Sequence, residues 1–493
     1  MNEPVADRFV HVSRRNYALG WPRLRPRALD SPPVAIDGQR GWLSTLLAEH
    51  DAVSMAVLVL SLLVLICILW IRVLGLWETC YRDCALVALV GFALVYGAIA
   101  RRTWTTAPVK HALALAATWI LPWTLALATT EISSERNVPV LQHPELLRLI
   151  DAPILFLVQV AAVAAFLAAS SAASAGTPRQ RRSAHAAIVG SLVATSFIPI
   201  AVSGNQLYQF LSAGQGIGRM LGSFTNANLL ASYVLIVLPL LSFPILNNRI
   251  ADRIVRCAAA SCLVGILILT ECRGSFIGLF VSSAVVVSFR YLASSENRQV
   301  AATRTKGVLV ATLIGFALVI ASIGAMTVAQ AASRDLSTVE HRELWHAGYV
   351  VATSSFPFGA GLGRLQPASI ALSVPCPGFH CHQLFLQMAA DTGIPGVLVI
   401  AALTFWVVKV IVVINRRVSS LLVSGQLSPR AIEGLRAPIV FAASILGWIV
   451  ACQTDYTLWH EAVAIPLGLV VGLLHGTSRS PSVNELPEFE PRY

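Results

Sequence analysis

The run GVLVIAALTFWVVKVIVVI, residues 396–414, decides the fold class of this chain. It is almost wholly apolar and carries one charged residue, Lys409. About 20 consecutive apolar residues are enough for an α-helix to cross the hydrocarbon core of a bilayer. The run therefore predicts a membrane-spanning helix, and lipid becomes the solvent in which the other residues have to be interpreted.

The composition of the whole chain agrees with this prediction. Of 493 residues, 56% are hydrophobic and only 12% are charged, and the mean hydropathy is +0.70. Such values exclude an ordinary soluble domain and indicate an all-α, polytopic membrane protein. About twelve runs are long enough to span a bilayer. They are 53–71, 84–100, 111–130, 152–172, 185–203, 228–246, 254–270, 274–294, 307–328, 393–414, 437–452 and 460–476.

Basic residues predict how these helices are oriented, because Lys and Arg are retained on the cytoplasmic side. With both termini in the cytoplasm, most of the 36 Lys and Arg residues fall in inner segments, and the outer segments are slightly acidic. Membrane topology thus accounts for the net charge of +11, and no nucleic-acid partner is needed. Roughly 50 polar residues precede the first apolar run, too many for a cleavable signal peptide.

One connection is much longer than the others, and it lies on the predicted outer side between the ninth and tenth helices. Long ordered loops usually carry function. The predicted organisation is a disordered cytoplasmic tail at 1–52, membrane helices 1 to 9 at 53–328, the outer loop at 329–392, membrane helices 10 to 12 at 393–476, and a cytoplasmic tail at 477–493.

The outer loop contains two patterns typical of amphipathic helices. The first, residues 337–354, has one apolar and one polar face, formed by Leu344, Ala347 and Val351 and by Arg342, Glu343 and His346. The second runs from His382 to Asp391, with Gln383, Gln387 and Asp391 opposite Leu384, Phe385 and Met388. GIPG, residues 393–396, is predicted to end this helix and begin the tenth membrane helix.

Arginines and histidines on the outer side suggest a chemistry. Arg219, Arg273 and Arg342 come from three separate outer segments. Guanidinium groups pair bidentately with phosphate oxygens, so this set suits a diphosphate. A nearby histidine can take a proton from a hydroxyl near neutral pH. Because the outer compartment lacks ATP, a transfer there needs a pre-activated donor, such as a sugar on a lipid diphosphate. Such a transfer is expected to require no metal or cofactor.

The same polar residues also have structural interpretations. Arg273 can extend to lipid headgroups, and Asp455 can form a structural ion pair with Arg273 or another arginine. Asn226 and Asn228 can cap a helix, and Trp345 and Trp459 can anchor the chain at the membrane interface.

The histidine pair His380 and His382 lies close to two cysteines, which raises two further alternatives. A zinc site is disfavoured, because no carboxylate or third histidine stands at a helical ligand spacing such as HExxH. If the outer compartment is oxidising, Cys376 and Cys381 can form a disulfide that closes a short loop around His380.

The stretch HQLFLQMAADTGIPG, residues 382–396, resembles the signature of bacterial O-antigen ligases. That signature is a histidine, then Asn, Ser or Gln, nine residues, Gly, two residues, and Gly, Thr or Tyr, and the chain fits at every position. Segment 341–364 resembles the family's Arg, Trp and Pro/Gly-rich stretch, although Arg342 and Trp345 stand three residues apart where the family has four. RMLGSFTNANLLASY (219–233) and RGSFIGL (273–279) also resemble family segments.

The resemblance implies a glycosyltransferase of the bacterial inner membrane, with both termini cytoplasmic and a periplasmic active site. It implies His382 as the catalytic residue and Arg219, Arg273 and Arg342 as diphosphate ligands. Further support would come from Asn228, His380, Gln383 and Asp455.

The expected donor is a polyprenyl diphosphate-linked glycan, and the expected acceptor is a hydroxyl of lipid A-core or of another glycan. The ligase branch comes first because its histidine signature fits completely. A polymerase is the alternative, and QTDYTLWHEAVAIPLG (453–468) also resembles the protein O-oligosaccharyltransferase branch. A transporter of the lipid-linked glycan is disfavoured, because the predicted helices are nearly free of charge and transporters carry polar sites at the bilayer midplane.

Overall fold

A computed structural model of the chain describes residues 107–134, 152–174, 178–214, 219–224, 226–244, 249–293, 336–376, 378 and 380–478. Within these ranges all regular structure is helical, which confirms the predicted all-α class. The predicted tail at 1–52 and the predicted spans at 53–71, 84–100 and 307–328 lie outside the described residues.

The helices follow the apolar runs of the sequence. They are α1 (Ala107–Ser134), α2 (Ala152–Ser174), α3 (Pro178–Thr195), α4 (Phe197–Ser212), α5 (Ala227–Val237) with a 3₁₀ extension (Leu238–Ser242), α6 (Arg249–Leu269), α7 (Arg273–Ala293), α8 (Leu336–Ser354), α9 (Leu365–Ala371), α10 (Leu384–Val423), α11 (Pro429–Ala451) and α12 (Glu461–Ser478).

Several of these helices are long and apolar enough to cross a membrane. In the described part of the chain there are seven such spans: α1, α2, α3 joined to α4, α7, α10, α11 and α12. Helix α5 with its 3₁₀ extension is apolar but shorter. The chain is therefore a multi-pass membrane protein.

Small residues allow α2 and α12 to pack at close range. Gly468 and Gly472 are one turn apart on α12 and face the backbone of α2. A Cβ atom on Gly468 would contact the Ala162 carbonyl, and one on Gly472 would contact the Phe166 carbonyl. Such stripes are the usual means of close helix contact in lipid, where packing replaces the hydrophobic effect.

A similar contact joins α7 to α11 and fixes the position of the Arg273 turn. Gly278 of α7 faces the Gly447 carbonyl of α11. One turn earlier, Gly274 has room only for a hydrogen atom beside Thr454 and the carbonyl of Ala451. The first turn of α7 therefore lies against the turn that follows α11.

The first amphipathic helix of the outer loop is confirmed as α8. Leu344, Ala347 and Val351 are buried, and Arg342 and His346 are exposed. The apolar face of α8 packs on the beginning of α10.

The second amphipathic helix starts later than predicted. Gln383 is its N-cap, since the side-chain oxygen accepts a hydrogen bond from the Leu386 amide. His382 therefore precedes the helix instead of starting it. The predicted boundary at GIPG is confirmed as a break at Gly393, which has φ 68° and ψ −155° and separates residues 384–392 from the membrane part of α10.

Candidate active site

The loop that carries the histidine signature is fastened to the turn between α11 and α12. The Leu384 amide donates to the Cys452 carbonyl at 2.8 Å. The side-chain amide of Gln383 donates to Gln453 Oε1, also at 2.8 Å. These two bonds fix residues 380–383 beside residues 452–457.

His382 and Asp455 form a hydrogen-bonded pair at the centre of this contact. Nδ1 of His382 lies 2.6 Å from Oδ1 of Asp455. The Asp455 side chain is 8% exposed and that of His382 is 23% exposed. From the sequence, an ion pair of Asp455 with Arg273 or another arginine was one alternative, beside a supporting role in the site. The structure pairs Asp455 with the histidine of the signature.

The environment of Asp455 favours the charged carboxylate. Burial on its own would raise the pKa, but the hydrogen bond from His382 and the nearby imidazoles hold the pKa of Asp455 below its usual value. A hydrogen bond from Asn228 acts in the same direction. A carboxylate in this position fixes the orientation of the His382 ring.

Two more histidines surround the ring of His382. The His380 ring centroid is 4.1 Å away and that of His341, from α8, is 4.8 Å away. Burial lowers the pKa of His380 to about 3, with a smaller contribution from His382, so His380 is neutral. His341 was not assigned a role from the sequence. In the sequence, its position next to the candidate Arg342 was the signal that could have pointed to His341.

Ligand atoms of His380, His382 and Asp455 lie within 4.8 Å of one another, close enough to hold a metal ion. Two imidazoles and a carboxylate are a ligand set that zinc accepts. Spacing along the sequence did not reveal this set, because its carboxylate comes from a turn 73 residues away.

Arg219 and Asn228 extend the polar contacts to the other side of Asp455. Nε of Arg219 donates to the Thr270 carbonyl at 3.1 Å, and Nη2 donates to Asn228 Oδ1 at 2.8 Å. Asn226, and not Asn228, is the N-cap of α5, since its side chain accepts from the Asn228 amide. The side chain of Asn228 is thereby available to bridge Arg219 and Asp455.

Arg273 and Arg342 are adjacent in sequence to residues that contact the site. Arg273 is the first residue of α7, and the next residue, Gly274, packs against Thr454. Arg342 is exposed on α8 and follows His341, which contacts the His382 ring. All three arginines therefore lie at the same end of the helix bundle as His382.

A buried relay of hydrogen bonds through Gln387 supports residues 380–383, the loop that carries His380 and His382. Oε1 of Gln387 accepts from the Cys381 amide at 2.7 Å, and Nε2 of Gln387 donates to Asp391 Oδ2 at 2.8 Å. The i, i+4 spacing of these polar residues was visible in the sequence, but their burial was not. Cys381 and Cys376 are free thiols in the structure, so no disulfide joins them.

A comparison with protein families finds a match to the O-antigen ligase family over residues 258–401. The match confirms the resemblance over that segment, which contains Arg273, Arg342 and His382. Arg219 and Asp455 lie outside it. The family implies a membrane enzyme that transfers glycans and uses a lipid-linked glycan donor and an acceptor. No curated protein is significantly similar to the chain.

Proposed function

We propose that the chain transfers a glycan from a polyprenyl diphosphate carrier to an acceptor hydroxyl, with His382 as the general base. The match of residues 258–401 to the O-antigen ligase family supports the proposal. The observation that carries it is the 2.6 Å bond between His382 and Asp455. A histidine oriented by a buried carboxylate can act as a general base towards a hydroxyl.

In the proposed reaction the acceptor oxygen attacks the anomeric carbon of the glycan. The bond between that carbon and the diphosphate oxygen breaks, and the lipid diphosphate leaves with the bonding electrons. Because Nδ1 of His382 is held by Asp455, Nε2 takes the proton of the attacking hydroxyl. The ionised Asp455 then stabilises the imidazolium that forms.

Arg219, Arg273 and Arg342 are proposed to offset the charge that develops on the leaving diphosphate. The bonds to Thr270 and Asn228 use Nε and Nη2 of Arg219 and orient the guanidinium, which leaves Nη1 to donate to a phosphate oxygen. Asn228, His380 and Gln383 are proposed to support the site, since each contacts a neighbouring site residue or the turn after α11.

The transfer is proposed to need no metal. A metal ion bound to His380, His382 and Asp455 would occupy the atoms that hold and receive the proton in this mechanism. Chelation with EDTA is therefore expected to leave the transfer rate unchanged. A loss of activity that zinc restores would contradict the base mechanism.

The site is proposed to face the periplasm, with residues 329–392 as its catalytic loop and both termini in the cytoplasm. The distribution of basic residues supports this orientation. The ligase branch, with lipid A-core as acceptor, is favoured because the signature starting at His382 is complete.

The test uses purified protein with lipid-linked glycan and lipid A-core. We expect His382→Ala to lower the transfer rate by at least about 100-fold, the usual contribution of a general base. Asp455→Asn should give a loss of similar size, because the imidazolium loses its ionised partner. His346→Ala is the matched control, since His346 is an exposed histidine of the same helix α8 that carries His341.

Other outcomes would point to a different site or to a different function. Transfer that persists in both His382→Ala and Asp455→Asn would contradict the assigned site. Chain extension without any lipid A-core would indicate a polymerase, and transfer to a protein acceptor would indicate an oligosaccharyltransferase. Movement of the lipid-linked glycan across vesicles without transfer would indicate a transporter.

A further inference from the structure

A long apolar cavity lies along α10. Its volume is about 640 Å³, and α1, α2 and α12 contribute to its walls. Most of the lining is apolar and aromatic, as shown by Trp119, Phe166 and Trp406. The proposed catalytic site lies outside it, although Leu458 brings one end of the cavity near the turn that carries Asp455.

The length of this cavity matches the thickness of a membrane. On α10 its lining runs from Val399 to Arg417. At 1.5 Å per residue these positions are about 27 Å apart, close to the thickness of ~30 Å of a hydrocarbon core. A long hydrocarbon chain parallel to α10 therefore fits the cavity.

Cations line the half of the cavity that is remote from His382. Lys409 and Arg417 are both part of the lining, and none of the lining residues that the structure describes is acidic. Lys409 is also the single charge in the apolar run 396–414. A charge within a membrane helix is costly and is normally paired. An anionic group on an occupant of the cavity would offset the charge of Lys409.

Side-chain contacts between helices hold the cavity wall at His111 in place. His111 of α1 stacks on His475 of α12 at 5.4 Å, and Nδ1 of His111 lies 3.2 Å from Nε2 of His475. On its other side, His475 is bonded to Ser170 Oγ at 2.7 Å. The His111 ring, which lines the cavity, is thus held in place by two other helices.

We propose that this cavity binds an anionic glycerophospholipid, with its phosphate at Lys409 and Arg417 and an acyl chain along α10. The glycan carrier does not fit this end, because its diphosphate must reach the arginines near His382. From Gly393, where the membrane part of α10 begins, to Lys409 is about 24 Å along the helix. The site is independent of the proposed glycosyltransferase function.

The test measures lipid binding by the full chain. Protein purified in mild detergent is titrated with phosphatidylglycerol or with zwitterionic phosphatidylcholine, and bound lipid and melting temperature are recorded. We expect phosphatidylglycerol to remain bound through delipidation and to raise the melting temperature, and phosphatidylcholine to do neither. Lys409→Gln with Arg417→Gln should weaken phosphatidylglycerol binding by at least tenfold.

Arg416→Gln is the matched control, because Arg416 is exposed and does not line the cavity. Binding equal to that of the wild type in this variant supports the proposal. Equal binding of both lipids, or an equal loss in the control, would overturn it by indicating ordinary contact with surrounding lipid. Displacement of phosphatidylglycerol by a polyprenyl diphosphate at equal concentration would overturn the choice of occupant.

Discussion

The backbone of His382 is in the left-handed region, with φ at 52°. Residues other than glycine rarely adopt this conformation, which costs about 1–2 kcal/mol. Attachments on its C-terminal side compensate for that cost, namely the bonds from Gln383 and Leu384 to the turn after α11. The imidazole is therefore directed towards Asp455 by its backbone as well as by its side-chain hydrogen bond.

The buried His380 predicts how stability depends on pH. Its pKa is lowered from 6.5 to about 3 by burial, so between these values the unfolded chain binds a proton that the folded protein does not. Stability should fall as the pH is lowered through this window, by up to about 1.4 kcal/mol per pH unit. We expect the melting temperature to fall as the pH is lowered from 6.5 to 4.5.

Two variants separate this effect from other titrations. His380→Gln cannot bind the proton, so its melting temperature should depend less on pH over the same range. His346→Gln, which changes an exposed histidine of α8, should keep the wild-type dependence. Identical pH dependence in all three proteins would contradict the assignment to His380.

Sequence reasoning singled out His382 and the arginines as candidates but did not predict the contacts they make. A motif specifies residue types along the chain, and His382 could be found in that way. The pairing of Asp455 with His382 depends on two turns meeting in space, and local spacing carries no information about such a contact. The same limit applies to His341, whose ring contact comes from a separate helix.

At the level of elements, the break at Gly393 is a docking point for the segment 357–361. The Ile394 amide donates to the Pro357 carbonyl at 2.9 Å, and the Ala360 amide donates to the Ala390 carbonyl at 2.7 Å. Backbone groups that the break leaves without helical partners are satisfied in this way.

Gly393→Ala should therefore be strongly destabilising. A Cβ atom at this position would contact the Pro357 carbonyl and would lie 2.7 Å from the Gly359 nitrogen, and φ is positive. Backbone strain and overpacking each cost about 1–3 kcal/mol. We expect a melting temperature lower by several degrees, measured by thermal unfolding in detergent.

Gly396→Ala is the comparison for this prediction. The three nearest atoms that its Cβ would meet are side-chain atoms of Thr392 and Met388 and not backbone atoms, and its φ is not positive. A smaller loss of stability is expected. An equal or larger loss in Gly396→Ala would show that the break at Gly393 is not the sensitive position.

The relay through Gln387 gives a second prediction at this level. Gln387→Leu would leave the Cys381 amide and one Asp391 oxygen without their partner, at about 1–3 kcal/mol for each buried group. Because Cys381 lies between His380 and His382, we expect kcat to fall while KM for the donor changes little.

Gln366→Leu is the matched control for the relay. Gln366 donates a hydrogen bond to the Cys376 carbonyl in the same loop, and this bond does not involve residues 380–383. Its kcat should stay near the wild-type value. Equal losses of kcat in both variants would indicate a general effect on the loop.

The helices themselves were mostly predictable, because long apolar runs and amphipathic periodicity act locally. Helix α9 was missed, since Leu365–Ala371 is only seven residues long and follows a glycine-rich stretch that indicates a loop. The start of α10 was misjudged by two residues, because Gln383 caps the helix through a side-chain bond that residue type alone does not reveal.

On the scale of the whole molecule, the α2 and α12 interface should control stability. Gly472→Ala would place a Cβ against the Phe166 carbonyl and 2.8 Å from the Ala169 Cβ, so the helices would have to separate. Overpacking of this kind costs about 1–3 kcal/mol. We expect a lower melting temperature and a lower yield of folded protein.

Gly434→Ala is a suitable control, since Gly434 is also in a helix and its Cβ would meet nothing within 4 Å. It should be neutral or slightly stabilising, because alanine favours helices over glycine by about 0.8–1.0 kcal/mol. Equal destabilisation by both substitutions would contradict close packing as the cause.

The length of α10 has a consequence for how the protein would respond to its membrane. The helix contains 40 residues and, if straight, would be about 60 Å long, twice the thickness of a hydrocarbon core. Residues 394–423 can meet a thicker or thinner bilayer by changing their tilt. The break at Gly393 separates this segment from residues 384–392, and the bond from Leu384 to Cys452 ties the part before the break to α11. Changes of bilayer thickness should therefore tilt α10 without separating His382 from Asp455.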